Sequence, residues 1–371
     1  MSRFVPFCLL LFFSIASSAS TVEVLYVAEP QGSQSSLLTY NVNPQTAAAQ
    51  QVGQAVTVGA SSVDPLTLGT THLIYIWNGT DVWAYTTNTQ GVPSTNSFQH
   101  LSFNFSYPVN AFLIDPNGKY AYAAMTWLDS KGNSDAAIAL FTINQSTGAL
   151  TNTNQMVARY GPNLYTGLNG FVFGKSGARL YASWLDDGPY TSIRGYSYYS
   201  VNQSTGQLGP LRELFYAQAY ECGTTCAVAI TDVFSAEDGV CCGPGSGNIL
   251  INRTATNQQV GCGASDLAFC GDDVATLNFD PSNRNLFFGD ATVSETFIGQ
   301  IDLSAAKLIQ SSSTIPGTPP LYFSPDSKLL YAVNSNNIGI YAFQASSGQI
   351  TASSSLSDSG NVSVATTTLR N

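Results

Sequence analysis

A unit of about fifty residues recurs along this chain of 371. Recurrence at that period restricts the fold to arrays whose members bury their faces against their neighbours. The unit is clearest over 111–150, AFLIDPNGKYAYAAMTWLDSKGNSDAAIALFTINQSTGAL. The apolar run Ala111–Ile114 stops at Asp115-Pro116-Asn117-Gly118. The runs Tyr120–Met125 and Ala136–Ile143 follow, and Asn144–Gly148 turns into a fourth that starts at Leu150. Proline fixes φ within the first turn, and Asn-Gly supplies the positive φ of a tight hairpin. The unit therefore reads as a four-stranded antiparallel meander. It returns at Phe171–Tyr181, Leu277–Phe287 and Leu321–Tyr331, and the turn that begins at Asn144 returns at Asn202.

An aromatic residue near the start of the second strand sets the register: Tyr26, Tyr75, Tyr122, Tyr181, Phe287 and Tyr331. The steps between them are 49, 47, 59, 106 and 44 residues. The step of 106 hides one further unit, placed at Ala227–Phe234. Seven units of four strands predict an all-β fold, a seven-bladed β-propeller of four-stranded antiparallel blades. Thr21–Thr46 supplies only three strands, whereas Asn361–Leu369 is left over after the seventh unit. The C-terminal strand is expected to pair beside Val22–Val27 and close the ring, leaving no open edge.

Ahead of the first unit, Arg3 precedes the apolar run Phe4–Ile15 and small residues through Ala19. This is the pattern of a secretory leader over 1–20, cut near Ala19 or Ser20. The run is short for a bilayer, which takes about 20 residues. Residues 21–371 are then one propeller domain, secreted or periplasmic. Removing Arg3 leaves 12 basic against 23 acidic residues, a net charge of −11. That balance disfavours nucleic acid and anionic membranes as partners. No membrane insertion is expected.

His72 and His100 are the only histidines. A Ser-His-Asp hydrolase or a multi-histidine metal site has little to draw on, and no metal or cofactor is expected. Carboxylates are better placed. In a meander, the loops after the second and fourth strands share one rim. Trp127-Leu128-Asp129 and Trp184-Leu185-Asp186-Asp187 bring Asp129, Asp186 and Asp187 there. The blade-linking segments 158–163 and 217–221 add Arg159, Tyr160, Tyr220 and Glu221. Linking loops converge on the central channel, where a ligand is expected. Glu221 or Asp187 is the candidate general base, with Arg159 polarising a carbonyl. Asp129, Asp186, Tyr160, Arg194 and Tyr220 are candidate ligand-binding residues.

Cys222, Cys226, Cys241, Cys242, Cys262 and Cys270 all fall in one stretch. In an oxidising compartment an even number predicts three disulfides, with the connectivity open. Pairing of adjacent Cys241 and Cys242 is disfavoured by strain. The bridges are expected to pin an insertion at about 222–270. Paired C-x-x-C spacings, which zinc would need, are missing. N-glycosylation sequons begin at Asn78, Asn104, Asn144, Asn202, Asn252 and Asn361.

The segments IDPNGKYAYAAM, LYFSPDSKLLYAVNSN, INQSTGAL and VNQSTGQL resemble the repeat of the lactonase-type, or YVTN-type, seven-bladed propellers. The resemblance covers nearly all of 21–371 and is weakest in the fifth unit. It implies the propeller fold and an activity similar to that of 6-phosphogluconolactonase or the muconate-type cyclases. The shared motifs make turns and strands, so no catalytic residue transfers with them. Two functions follow as expectations. One is a binding or scaffold module presenting its rim to a small molecule, carbohydrate or protein. The alternative is a lactone-ring hydrolase or cyclase.

Overall fold

The structure, a computed structural model, describes residues 21–370 apart from 69–70, 129–133, 161–165, 188–191, 220–227, 239–248, 255–257, 263–273, 291–292, 305–306 and 359. The leader lies outside the described residues. Among those described there is no helix. Among the described residues, strands build six four-stranded antiparallel sheets and one of five strands. In chain order, sheet two holds Asp64–Thr67, Leu73–Trp77, Asp81–Thr86 and Gln99–Ser102. Sheet three holds Val109–Ile114, Tyr120–Leu128, Ser134–Ile143 and Leu150–Tyr160. Sheet four holds Thr166–Phe173, Arg179–Asp187, Ser192–Ser200 and Arg212–Ala219. Sheets five, six and seven span 228–262, 274–316 and 321–357.

Sheet one joins the termini, as expected. Ser363–Arg370 pairs antiparallel with Thr21–Ala28, from Thr21 opposite Arg370 to Ala28 opposite Ser363. It departs from the expected four strands at its outer edge. There Ala49–Gln51 and Val56–Val58 both pair with Gln34–Val42, on successive stretches of that strand. The edge breaks between them, where Gly53 has a φ of 69° that favours glycine.

Turn chemistry repeats from sheet to sheet. Asp115 is buried and accepts from the backbone N–H groups of Asn117, Lys119 and Tyr120 at 3.1, 2.7 and 2.7 Å. Asp280 does the same for Arg284 and Asn285, and Ser324 for Lys328 and Leu329. In the next hairpin, Asn144 Oδ1 accepts from Ser146 and Thr147 N–H while the Gly148 N–H returns to the Asn144 carbonyl. Asn202 and Asn43 head matching turns. These side chains pair backbone groups that the hairpins would otherwise bury unsatisfied.

Apolar clusters lie between consecutive sheets. Tyr26 and Leu37 of sheet one pack with Ile74 and Ile76 of sheet two, and Tyr75 with Phe112 and Phe141 of sheet three. Similar cores join sheets three and four, five and six, six and seven, and seven and one. Sheets four and five meet through Asp232, which accepts from Tyr181 Oη at 2.9 Å and from Ser176 N and Oγ at 3.1 and 3.0 Å. A Cβ at Gly174 would lie 1.9 Å from that carboxylate.

The stretch expected as a cysteine-rich insertion contains the strands of sheet five, Val228–Ile230, Phe234–Asp238, Ile249–Arg253 and Gln258–Cys262. Its aromatic register residue, Phe234, is buried against sheet six. Cys222, Cys226, Cys241, Cys242 and Cys270 lie outside the described residues, and with them the predicted disulfides.

Candidate functional site

Strand direction decides which residues reach the rim of the linking loops. In sheet three the second strand ends at Leu128 and the fourth at Tyr160. In sheet four the first begins at Thr166, the second ends at Asp187, the third begins at Ser192 and the fourth ends at Ala219. All are on one rim. Arg159 and Tyr160 stand opposite Ala137 and Ala136 at the end of an outer strand. Asp186 stands opposite Thr166 and Ile193, Asp187 opposite Ser192, and Arg194 opposite Leu185 and Ala217.

Residues directly opposite share a sheet face, and neighbours along a strand alternate. Asp187 and Arg194 are diagonal neighbours in the register of the second and third strands, with Asp187 opposite Ser192 and Arg194 opposite Leu185. Asp129, Tyr220 and Glu221 lie outside the described residues.

The same rim carries a polar cluster on sheet two. Asp81 Oδ1 accepts from Ser102 Oγ at 2.6 Å and lies 3.0 Å from His100 Nε2, while Thr80 Oγ1 donates to Asp81 Oδ2 at 2.6 Å. The His100 ring stacks on Trp83, centroids 5.0 Å apart. Partial burial raises the Asp81 carboxyl, but hydrogen bonds from Ser102, Thr80 and His100 outweigh it and hold it below the usual carboxylate range. The carboxylate sits between hydroxyl and imidazole. A nucleophilic triad needs the imidazole in the middle, so this cluster ties two outer strands together.

A second carboxylate was not legible in the sequence. Glu23 is buried in sheet one, where the Thr368 hydroxyl lies 3.0 and 2.8 Å from its two oxygens. Burial pushes its carboxyl up to about 7. The Thr368 hydrogen bond opposes the rise, Asp326 adds to it, and Lys328 opposes it. A base poised near neutrality would suit catalysis, but this one is 4% exposed, closed in at the seam between the two ends of the chain. Among the described residues, no group of three or more His, Cys, Asp or Glu side chains could hold a metal.

No protein-family model matches the sequence, and no curated protein matches it. Solved structures do match. The periplasmic gluconolactonase of Pseudomonas aeruginosa superposes with a TM-score of 0.61 at 13% identity, over 94% of this chain and 99% of that one. A candidate 6-phosphogluconolactonase from Bacteroides fragilis gives 0.60 at 14%, over 93% and 98%. A Lactobacillus plantarum protein gives 0.60 at 14%, over 94% and 99%. Almost end to end, this chain has the fold of the 6-phosphogluconolactonase-like, lactonase-type β-propellers.

Proposed function

We propose that the protein hydrolyses lactone rings at the rim shared by sheets three and four, outside the cytoplasm. The observation that carries the reading is a fold held in common, over nearly the full length, with a periplasmic gluconolactonase. The diagonal placement of Asp187 and Arg194 supports it, and so does the leader-like segment 1–20. In this reading sheet one, with its split outer edge, is the seventh blade, and three disulfides brace the fifth. A binding role without chemistry has no comparable support.

A carboxylate, Asp187 or Glu221, takes a proton from water as the water oxygen bonds to the lactone carbonyl carbon. Arg194 or Arg159 offsets the charge that develops on the carbonyl oxygen. The ring C–O bond then breaks, and the proton passes to the departing oxygen to give the open hydroxy acid. The test is turnover of a lactone panel by the protein and by Asp187→Asn, Glu221→Gln, Arg194→Ala and Arg159→Ala. Loss of the base should lower kcat by about a hundredfold or more. Activity undiminished in all four variants would overturn the assignment.

A further inference from the structure

A cleft of about 280 Å³ opens between the linker leaving sheet two and the outer strand of sheet three. Its apolar surface includes the half-buried Phe105 and the exposed Met156. Its polar surface is made of carboxamides: Asn104, Asn152, Asn154 and Gln155. Among the described residues, no ionisable side chain lines it. Asn152 Oδ1 accepts from the Asn154 N–H at 2.8 Å, leaving its own amide hydrogens to the cleft. The Asn154 carboxamide has no partner among the described residues. Asn104 Nδ2 donates to the Ser102 carbonyl at 3.3 Å, leaving its carbonyl oxygen as an acceptor.

A carboxamide both donates and accepts, as each hydroxyl of a vicinal pair does. A ring face such as that of Phe105 packs against the C–H face of a pyranose and excludes water. We infer that this cleft binds a neutral carbohydrate, its ring against Phe105 and its hydroxyls on the carboxamides of Asn104, Asn152 and Asn154. The linker extends the surface beyond the cleft. Tyr107 is 42% exposed and stacks on Trp127, with centroids 4.3 Å and planes 5° apart. A peptide added to the outer strand is disfavoured, because two register shifts interrupt that edge, between Ile138 and Ala139 and between Leu140 and Phe141. The inference is independent of lactone chemistry.

Asn104 and Asn154 have φ of 53° and 57°, so glycine fits both positions without strain. The double variant Asn104→Gly/Asn154→Gly removes the carboxamides and keeps the backbone. Protein made in a non-glycosylating host, which leaves Asn104 bare, is titrated calorimetrically with cellohexaose, laminarihexaose, maltohexaose and xylohexaose. At least one should bind saturably, with little dependence on salt, and bind about tenfold more weakly to the double variant. Tyr107→Ala should weaken a hexasaccharide more than the matching disaccharide. The inference is overturned if none of the four binds, if polygalacturonate binds better than all of them, or if the double variant binds as the parent does.

Discussion

A tyrosine hydroxyl buried between blades needs an acceptor, and here the neighbouring blade supplies it. Tyr26, Tyr75 and Tyr122 donate to the carbonyls of Gly91, Gly148 and Gly206 at 2.8, 2.7 and 2.8 Å. Each glycine sits at positive φ in the turn before the outer strand, and at Gly148 (φ 75°) a Cβ would fall 2.5 Å from Leu73. Burial raises all three phenols. The seam between sheets seven and one differs. Ala47 holds the equivalent position at φ 58°, its carbonyl accepts from Ser354 Oγ at 2.6 Å, and the buried Tyr331 hydroxyl has no hydrogen-bond partner among the described residues. Tyr75→Phe should therefore destabilise by about 1–2 kcal/mol, since it strands the Gly148 carbonyl, whereas Tyr331→Phe should be neutral or stabilising. Urea denaturation of both variants checks this, and equal losses would contradict it. The aromatic register was legible from spacing alone. The acceptors were not, because each lies 65 to 84 residues away in the next repeat.

The closing strand and the turns were also legible. Asn361–Leu369 is a strand-like run with no other place in the repeat count, so a partner beside Val22–Val27 followed. Val362, Val364 and Leu369 are buried there. Deleting 361–371 should cost about 5 kcal/mol or more from these side chains alone, read as a sharp fall in melting temperature. An unchanged transition would contradict the closure. Glu23 could not be read, because the groups that act on it, Thr368 by a hydrogen bond and Asp326 by its charge, are brought in from the far end of the chain. Its consequence is pH-dependent stability. The folded state keeps a proton to about pH 7 that the unfolded chain releases near its ordinary value of 4.5. Stability from this group is greatest below about 4.5 and is lost as pH rises through 7, by roughly 3 kcal/mol in all. Glu23→Gln should flatten that slope and be the more stable protein at pH 8. Parallel pH–stability curves for the two would rule the effect out.

Among the described residues, apolar clusters fill the seams between sheets, and the contact between sheets four and five is made on Asp232. Asp232 lies in the hairpin between the first two strands of sheet five, on the rim opposite the one to which the reactive residues are assigned. From the sequence, hairpin order assigns Asp186, Asp187 and Arg159 to the rim of the linking loops, because that order alone fixes which loops share it. Glu221 and Asp129 remain assigned by sequence only. The measurement that bears most directly on lactone hydrolysis is acid release from glucono-1,5-lactone in a pH-stat, with purified protein beginning at Thr21. A rate that saturates with lactone, scales with protein and falls in Asp187→Asn is the predicted result. A rate equal to spontaneous hydrolysis at every protein concentration, repeated across the lactone panel, would contradict it.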